Sequence, residues 1–325
     1  MRYVNGLDTT RPYSVIGLGT WQFGSLEWGY GRDYAAGESA AIVRRARELG
    51  ITVFDTAEAY GFGRSERILG DALASSGGTD DVVVATKIFP ILPVAPIVQQ
   101  RGIASAHRLG LRTIDLYQVH QPNPLIKDPT TMRGMRALHD VGLVDEVGVS
   151  NYSLRRWQAA ERAYGARVLS DQVQFNLVHQ DPAEDLIPWA QETGHVVLAW
   201  SPLAQGLLTG RYDASHRPSN PLRQTAVWLP ENLDAAQPML DVLREVARTH
   251  DVTPAQVALA WVVHHDNVVA IPGASSVAQV ESNAAAAEIR LTDDEHAALT
   301  AAAGSYRPRT GVPALPSLVR DKLPI

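Results

Sequence analysis

Short apolar runs alternate along the chain with longer amphipathic stretches, and this alternation predicts the fold. Eight runs rich in valine, isoleucine and leucine are predicted as strands: 15–18, 51–54, 82–85, 114–119, 144–149, 169–173, 196–200 and 268–271. Between them, apolar residues recur at helical spacing over 38–49 and 65–73, and Ser153 is the predicted N-cap of a helix that ends at Tyr164. A strand followed by a helix, repeated along the chain, is typical of a parallel α/β protein.

Eight such units in 325 residues fit a closed (β/α)8 barrel better than an open doubly wound sheet. An open sheet usually carries Gly-x-Gly-x-x-Gly after its first strand, and the two partial matches at 17–22 and 61–66 both lack the final glycine. We therefore expect an α/β protein with one domain over 1–325, a single (β/α)8 TIM barrel with an N-terminal extension and long active-site loops.

Two segments interrupt the alternation. Residues 204–234 are rich in Gly, Pro, Ser and Asn and are predicted as a long loop after a strand, either over the active site or as a surface insertion. Residues 307–325 contain four prolines and are predicted as an extended C-terminal tail.

Composition narrows the function. The chain has no cysteine, which excludes disulfides, thiolate metal sites and cysteine nucleophiles. The net charge is −6, and the basic residues are scattered, so we expect no nucleic-acid partner. There is no apolar leader and no run near the roughly 20 residues of a membrane span, which predicts a cytoplasmic protein without a membrane partner.

Polar side chains directly follow several of the predicted strands, at the rim where a barrel builds its active site. They are Asp55, Lys87, His120, Ser150 and Asn151. Lys87 stands out because only three of the 29 Lys and Arg residues are lysine, and an ammonium group suits acid–base chemistry better than a guanidinium group.

These rim residues predict a proton-transfer site. Asp55 can pair with Lys87 across adjacent strands, and Tyr60 can reach the same place from the loop. A nearby ammonium group favours the phenolate, so we expect the pKa of Tyr60 to fall below its ordinary value and the phenol to act as a general acid. His120 would supply a directional N–H group.

Two other chemistries fit less well. No metal site is predicted, because His-Glu-x-x-His is absent and the neighbours His264 and His265 would point in different directions on a helix. A glycosidase needs two facing carboxylates, and Asp55, Glu58 and Glu146 are available, but that reaction gives no use to Lys87.

The chain resembles the aldo-keto reductases from about Gly17 to about Ala287. The resemblance rests on the order and spacing of several motifs together. They are Gly-Leu-Gly-Thr-Trp at 17–21, Phe-Asp-Thr-Ala-Glu-Ala-Tyr-Gly at 54–61, Ser-Glu at 65–66, Ala-Thr-Lys at 85–87, and the stretches 114–120, 148–151, 172–176, 200–206, 208–210 and 271–274, with Gln279 and Asn283 beyond.

The resemblance implies a catalytic tetrad and a set of nicotinamide-cofactor contacts. The tetrad is Asp55, Tyr60, Lys87 and His120, with Tyr60 as proton donor to a carbonyl group and with Trp21, Tyr60 and His120 facing the small-molecule substrate. The implied cofactor contacts are Thr20, Trp21 and Asp55; Ser150, Asn151 and Gln172 at the carboxamide; Trp200 stacked on the ring; Ser201, Pro202, Leu203, Gly206, Leu208 and Gly210 over the pyrophosphate; and Ile271, Gly273, Ser275, Gln279 and Asn283 along the adenosine end.

Three departures from the family pattern bear on the cofactor. Trp200 and Phe175 each stand where tyrosine is common, and an indole still offers a flat face for stacking. Ser275 and Ser276 stand where relatives place a cation against the 2′-phosphate of NADP, so NADP(H) is expected while NAD(H) stays open. The resemblance also leaves an alternative function, a cofactor-sensing regulatory protein like the β-subunits of potassium channels.

Overall fold

Eight parallel strands form the centre of the structure, and they pair in the order in which they occur along the chain. The computed structural model describes residues 1–25, 30, 36–218 and 225–310. The strands are β1 (Leu18–Gly19), β2 (Val53–Asp55), β3 (Val83–Ile88), β4 (Ile114–Val119), β5 (Val144–Ser150), β6 (Ser170–Gln174), β7 (Val196–Trp200) and β8 (Val268–Ala270). This is the (β/α)8 fold expected from the alternating pattern.

The last strand returns to the first and closes the barrel. Ile16 pairs in parallel with Ala270, and Gly19 pairs with Gly273. The two backbones approach closely here, because a Cβ atom on Gly19 would lie 2.7 Å from the carbonyl oxygen of Ile271. Closure pairs the two edge strands of the described sheet with each other.

Helices cover the outside of the barrel. They are α1 (Ala36–Glu48), α2 (Arg64–Ser75), α3 (Ala95–Leu109), α4 (Asp128–Asp140), α5 (Leu154–Tyr164), α6 (Leu186–Glu192), α7 (Pro230–Thr249), α8 (Pro254–Val262), α9 (Val277–Ala285) and α10 (Asp293–Gly304). Local sequence sets several of their ends: Thr253 and Gln256 form a capping box at the start of α8, and Gly110 ends α3 with a φ of 68°. None of the helices in the described ranges is long and apolar enough to cross a membrane.

The barrel interior is filled by side chains in layers. One layer contains Lys87, Gln118, Gly148 and Ser170, which are neighbours in register on four successive strands. Gly148 is required there because a Cβ atom would overlap the Ser170 hydroxyl group. The lysine is therefore enclosed by the barrel, and only the strand ends above it open to a cavity.

All eight predicted strands are present, with shifts at some boundaries. The run at 15–18 was the predicted first strand, but the ladder with β2 covers only Leu18–Gly19, because the preceding residues instead meet β8. Ser153 occupies the N-cap position of α5 as predicted, but its side chain makes no capping hydrogen bond.

The segment 204–234 is not a loop throughout. It contains short 3-10 helices at Ala204–Thr209 and Ala226–Trp228, and α7 begins at Pro230, so the prediction of loop is wrong for 230–234. Proline favours the first turn of a helix, since its missing N–H is not needed there. Residues 219–224 of this segment and 311–325 of the predicted tail lie outside the described residues.

Candidate active site

A buried ion pair lies at the carboxyl ends of β2 and β3. Lys87 Nζ is 2.8 Å and 2.7 Å from the two carboxylate oxygens of Asp55, and the exposed fractions of the two residues are 0% and 2%. The same ammonium group donates to the Thr56 carbonyl oxygen at 2.8 Å and lies 3.4 Å from the Tyr60 hydroxyl oxygen. The ammonium group of Lys87 therefore contacts Asp55, Thr56 and Tyr60, and the Tyr60 hydroxyl group lies beside a positive charge.

A third strand completes this arrangement. Gln172 on β6 donates from Nε2 to Asp55 Oδ1 at 2.7 Å, across the top of the barrel. Burial alone would lower the pKa of Lys87, but attraction to Asp55 and Tyr60 outweighs it and the pKa is raised. Lys87 therefore stays protonated at neutral pH.

The environment of Tyr60 corrects one expectation from the sequence. Burial raises the pKa of Tyr60 above its ordinary value, and the opposing effect of Lys87 does not overcome it. The predicted fall in the pKa is wrong because desolvation of a phenolate is larger here than the attraction of an ammonium group that is already neutralised by Asp55. Tyr60 is consequently a neutral phenol at neutral pH and can donate its proton.

His120 follows β4 and faces the same point. Burial, followed by repulsion from Lys87, lowers its pKa to about 3, so the imidazole is neutral at neutral pH. Its Nδ1 atom is enclosed and has no hydrogen-bond partner among the described residues. A proton on Nδ1 would lack an acceptor, so the tautomer with the proton on Nε2 is favoured, and Nε2–H becomes a donor for the cavity.

Aromatic rings flank these polar groups. The ring of Tyr60 is 6.3 Å from that of Trp21 and 5.7 Å from that of His120, and the ring of Phe89 lies edge-on to His120 at 5.7 Å. Glu58 fixes the Phe89 backbone, because its carboxylate accepts from Phe89 N at 2.5 Å. A flat, partly apolar substituent would fit beside the Tyr60 hydroxyl group.

A cavity of about 840 Å³ opens above the strand ends. Most of the residues predicted for the site line it: Trp21, Asp55, Tyr60, His120, Ser150, Asn151, Gln172, Trp200, Ser201, Pro202, Leu203, Gly206, Ile271, Gly273, Ser275, Gln279 and Asn283. Lys87 lies behind Asp55 and does not line it.

Three predicted cofactor contacts are not part of the cavity lining. Thr20 is buried and donates from its hydroxyl group to the backbone carbonyl of Asp55 at 2.9 Å, so it supports the site from behind. Leu208 is fully buried in the apolar core, and Gly210 ends a 3-10 helix. A sequence motif contains residues that support the site as well as residues that line it. The prediction included Thr20, Leu208 and Gly210 because they belong to such motifs.

Asn151 connects four strand ends. It has a left-handed backbone, with φ at 60°, and its N–H group donates to the Gln172 carbonyl at 2.9 Å. Its side-chain amide donates to the His120 carbonyl oxygen at 3.1 Å and to the Ser150 hydroxyl at 3.0 Å, and its Oδ1 accepts from Trp200 Nε1 at 3.1 Å. The predicted carboxamide-binding residues thus form one connected group.

The segment after β7 has an unusual backbone. Ser201, Ala204 and Gln205 have φ values of 53°, 47° and 58°, in the left-handed region that non-glycine residues rarely adopt. Such strain is concentrated at ligand clamps and active sites. The prediction for this segment ended at Gly210, one residue before Arg211, which is the only Lys or Arg among the described residues that line the cavity.

The start of α9 forms the opposite end of the cavity. Ser276 caps the helix by accepting from Gln279 N at 3.3 Å, and Gln279 Oε1 accepts from Ser275 N at 2.9 Å. The N-terminus of a helix attracts anions through its N–H groups and dipole. The groups that face the cavity here are the hydroxyl and amide groups of Ser275, Gln279 and Asn283.

The chain is similar in sequence to known reductases over nearly its whole length. The profile of the aldo/keto reductase family matches residues 15–303. An uncharacterized oxidoreductase of Mycobacterium tuberculosis is 50% identical over 323 residues, which are 99% of each chain.

Solved structures agree in fold. A glycerol dehydrogenase from Gluconobacter oxydans has a TM-score of 0.83 at 29% identity, covering 95% of this chain and 97% of its own. An aldo-keto reductase from Klebsiella pneumoniae, solved in complex with NADPH, has a TM-score of 0.73 at 29% identity, covering 96% and 97%.

The charges around Tyr60 predict how its phenol titrates. In the wild type we expect its pKa to lie above the ordinary value of about 10. Lys87→Met should raise it further, because the cation that favours the phenolate is lost. In the double variant Asp55→Asn, Lys87→Met, the pKa of Tyr60 should lie between the wild-type value and the Lys87→Met value, since this variant also removes the opposing carboxylate.

Tyrosinate absorbance measures these values, and subtracting the same titration in the matching Tyr60→Phe background isolates Tyr60 from the other nine tyrosines. A wild-type Tyr60 that ionises below the ordinary pKa would contradict this account of the site.

Proposed function

The chain belongs to the aldo/keto reductase family, and on that premise we propose that it is an NADP(H)-dependent oxidoreductase that reduces the carbonyl group of an aldehyde or ketone. The observation that carries the proposal is the contact of the Tyr60 hydroxyl group with the buried Lys87 ammonium group at 3.4 Å, at the floor of the cavity. A neutral phenol beside a permanent cation is a proton donor whose conjugate base is stabilised.

The tetrad residues have distinct roles in this reaction. NADPH, when bound, would supply the hydride that reduces the carbonyl carbon. Tyr60 gives its proton to the carbonyl oxygen, so that the product is an alcohol, and Lys87 stabilises the phenolate that remains. His120 donates a hydrogen bond from Nε2 to the same oxygen and orients it, and Tyr60 recovers a proton from solvent.

The cavity has the features that a dinucleotide requires. Its wall includes Gly273, against which the Gln22 side chain packs so closely that a Cβ atom would overlap it. Amide and hydroxyl groups of Ser150, Asn151 and Gln172 can hold a carboxamide, and the strained backbone of 201–206 with Arg211 can hold a pyrophosphate. The N-terminus of α9 then takes the adenosine end, where its N–H groups favour phosphate.

Tyr60→Phe tests the assignment of the proton donor. The variant keeps the Asp55–Lys87 pair and the ring, so we expect NADPH binding to be unchanged and carbonyl reduction to be abolished. The measurement is the loss of NADPH absorbance with an activated aromatic aldehyde, together with the Kd for NADPH from a fluorescence titration. Trp157→Phe, a buried ring outside the cavity, is a control for general loss of packing.

Two other outcomes would redirect the proposal. Turnover that persists in Tyr60→Phe would mean that another group delivers the proton. Tight NADPH binding by the wild type without turnover of any carbonyl compound would favour the cofactor-sensing regulatory function instead.

Arg211 is proposed to contact the pyrophosphate, which NADPH and NADH share. Arg211→Gln should therefore raise the Kd of both cofactors by a similar factor, about tenfold for the loss of one charge-assisted hydrogen bond. Arg248→Gln is the matched control, because Arg248 is exposed on α7 and pairs with Glu245 away from the cavity. A loss confined to NADPH would place Arg211 at the 2′-phosphate, and no loss would remove it from the binding site.

A further inference from the structure

A buried carboxyl group that the proposed reaction does not use lies next to the cavity. Asp171 precedes Gln172 on β6, and since side chains alternate along a strand it faces the helices while Gln172 faces the barrel interior. Asp171 is fully buried. No cationic side chain in the described part of the chain acts on it, and its Oδ2 atom is enclosed without a hydrogen-bond partner there.

The contacts that Asp171 does make are with the turn that carries Asn151. Its carboxyl group accepts a hydrogen bond from the backbone N–H group of Tyr152, at 3.5 Å between N and Oδ1, and it lies near the N–H group of Asn151, which itself donates to the Gln172 carbonyl oxygen at 2.9 Å. Burial raises the pKa of Asp171 well above its ordinary value, and these two N–H groups only partly oppose the shift. The group therefore acts on the turn as a hydrogen-bond acceptor, and a negative charge is not required for that.

This turn needs such support. Asn151 holds a left-handed conformation, which costs a non-glycine residue free energy, while its side chain contacts groups at the ends of β4, β5 and β7. A backbone that relaxed towards the ordinary region would move the Asn151 amide away from His120 and Trp200. An acceptor behind the turn opposes such a relaxation.

We propose that Asp171 is a positioning residue for the cofactor: its carboxyl group holds the Asn151–Tyr152 turn in the conformation that presents the Asn151 amide to the nicotinamide. This inference rests on the proposed function. It assigns Asp171 no contact with the cofactor and no part in proton transfer, so its effect should appear in cofactor affinity before it appears in the chemical step.

Two substitutions separate the acceptor from the charge. Asp171→Asn retains an acceptor oxygen of the same size, and we expect its Kd for NADPH to stay within about twofold of the wild type. Asp171→Leu has similar volume but leaves the Tyr152 N–H group without its acceptor, and its Kd for NADPH should rise about tenfold. Asp171→Ala serves the same purpose if leucine prevents folding.

Asp115→Leu is the matched structural control. Asp115 is another buried strand carboxylate, which accepts from Val84 N at 2.8 Å and pairs with Arg11, away from the cavity. The Asp115→Leu variant should have a lower Tm than the wild type and an unchanged Kd for NADPH. For each variant we would measure the Kd for NADPH by fluorescence titration, the Tm, and kcat at saturating NADPH. In Asp171→Leu, kcat should change by a smaller factor than the Kd.

The outcomes distinguish the inference from the proposed function. A Kd for NADPH that is unchanged in Asp171→Leu, with a lowered Tm like that of Asp115→Leu, would overturn the positioning role and leave the proposed function intact. An equal loss in Asp171→Asn would also overturn it, since the charge would then matter. A wild-type protein that binds neither NADPH nor NADH would overturn the proposed function and this inference with it.

Discussion

The buried ion pair of Asp55 and Lys87 is the constraint on which the active site depends. Two charges in a barrel interior persist only if they are paired and hydrogen-bonded, and removing one partner of such a pair costs about 3–5 kcal/mol. Here the pair is completed by the Thr56 carbonyl and the Gln172 amide, so that three strands meet at one carboxylate. The Tyr60 hydroxyl oxygen also contacts the ammonium group, at 3.4 Å.

The two cationic side chains of the proposed site lie in different surroundings. Lys87 is enclosed and acts on the cavity only through Asp55 and Tyr60, whereas Arg211 lies on the cavity wall. Between them the described cavity wall combines neutral amides and hydroxyl groups with aromatic and aliphatic side chains such as Trp21, Trp200 and Ile271. A neutral His120 belongs to this scheme, because burial, and after it repulsion from Lys87, lowers the pKa of its imidazole.

The fold, and the meeting of Asp55, Tyr60, Lys87 and His120 at the strand ends, could be predicted because both depend on local patterns. The runs that form β4 and β7 match at both ends, and Asp55 and Lys87 are found because each stands at the carboxyl end of an apolar run. The first strand is less well defined, since its ladder with β2 covers two residues and its neighbours pair with β8.

What the sequence does not predict depends on the third dimension. It indicates that Tyr60 has a cationic neighbour but not how deeply the phenol is buried, and burial decides the direction of the pKa shift. Asp171 reads as an ordinary polar residue in a strand, because the groups it binds are backbone N–H groups on the neighbouring loop. Neither observation has a signature in residue type or spacing.

The central claim is that a hydride passes from the nicotinamide to the carbonyl carbon above Tyr60, and isotope transfer tests it most directly. Wild-type protein would be incubated with an aldehyde and with NADPH carrying deuterium at one or the other of the two positions on nicotinamide C4, and the alcohol product analysed by mass spectrometry and NMR. The account predicts deuterium on the former carbonyl carbon from one stereoisomer and none from the other. Deuterium released to solvent, or transferred equally from both, would contradict it.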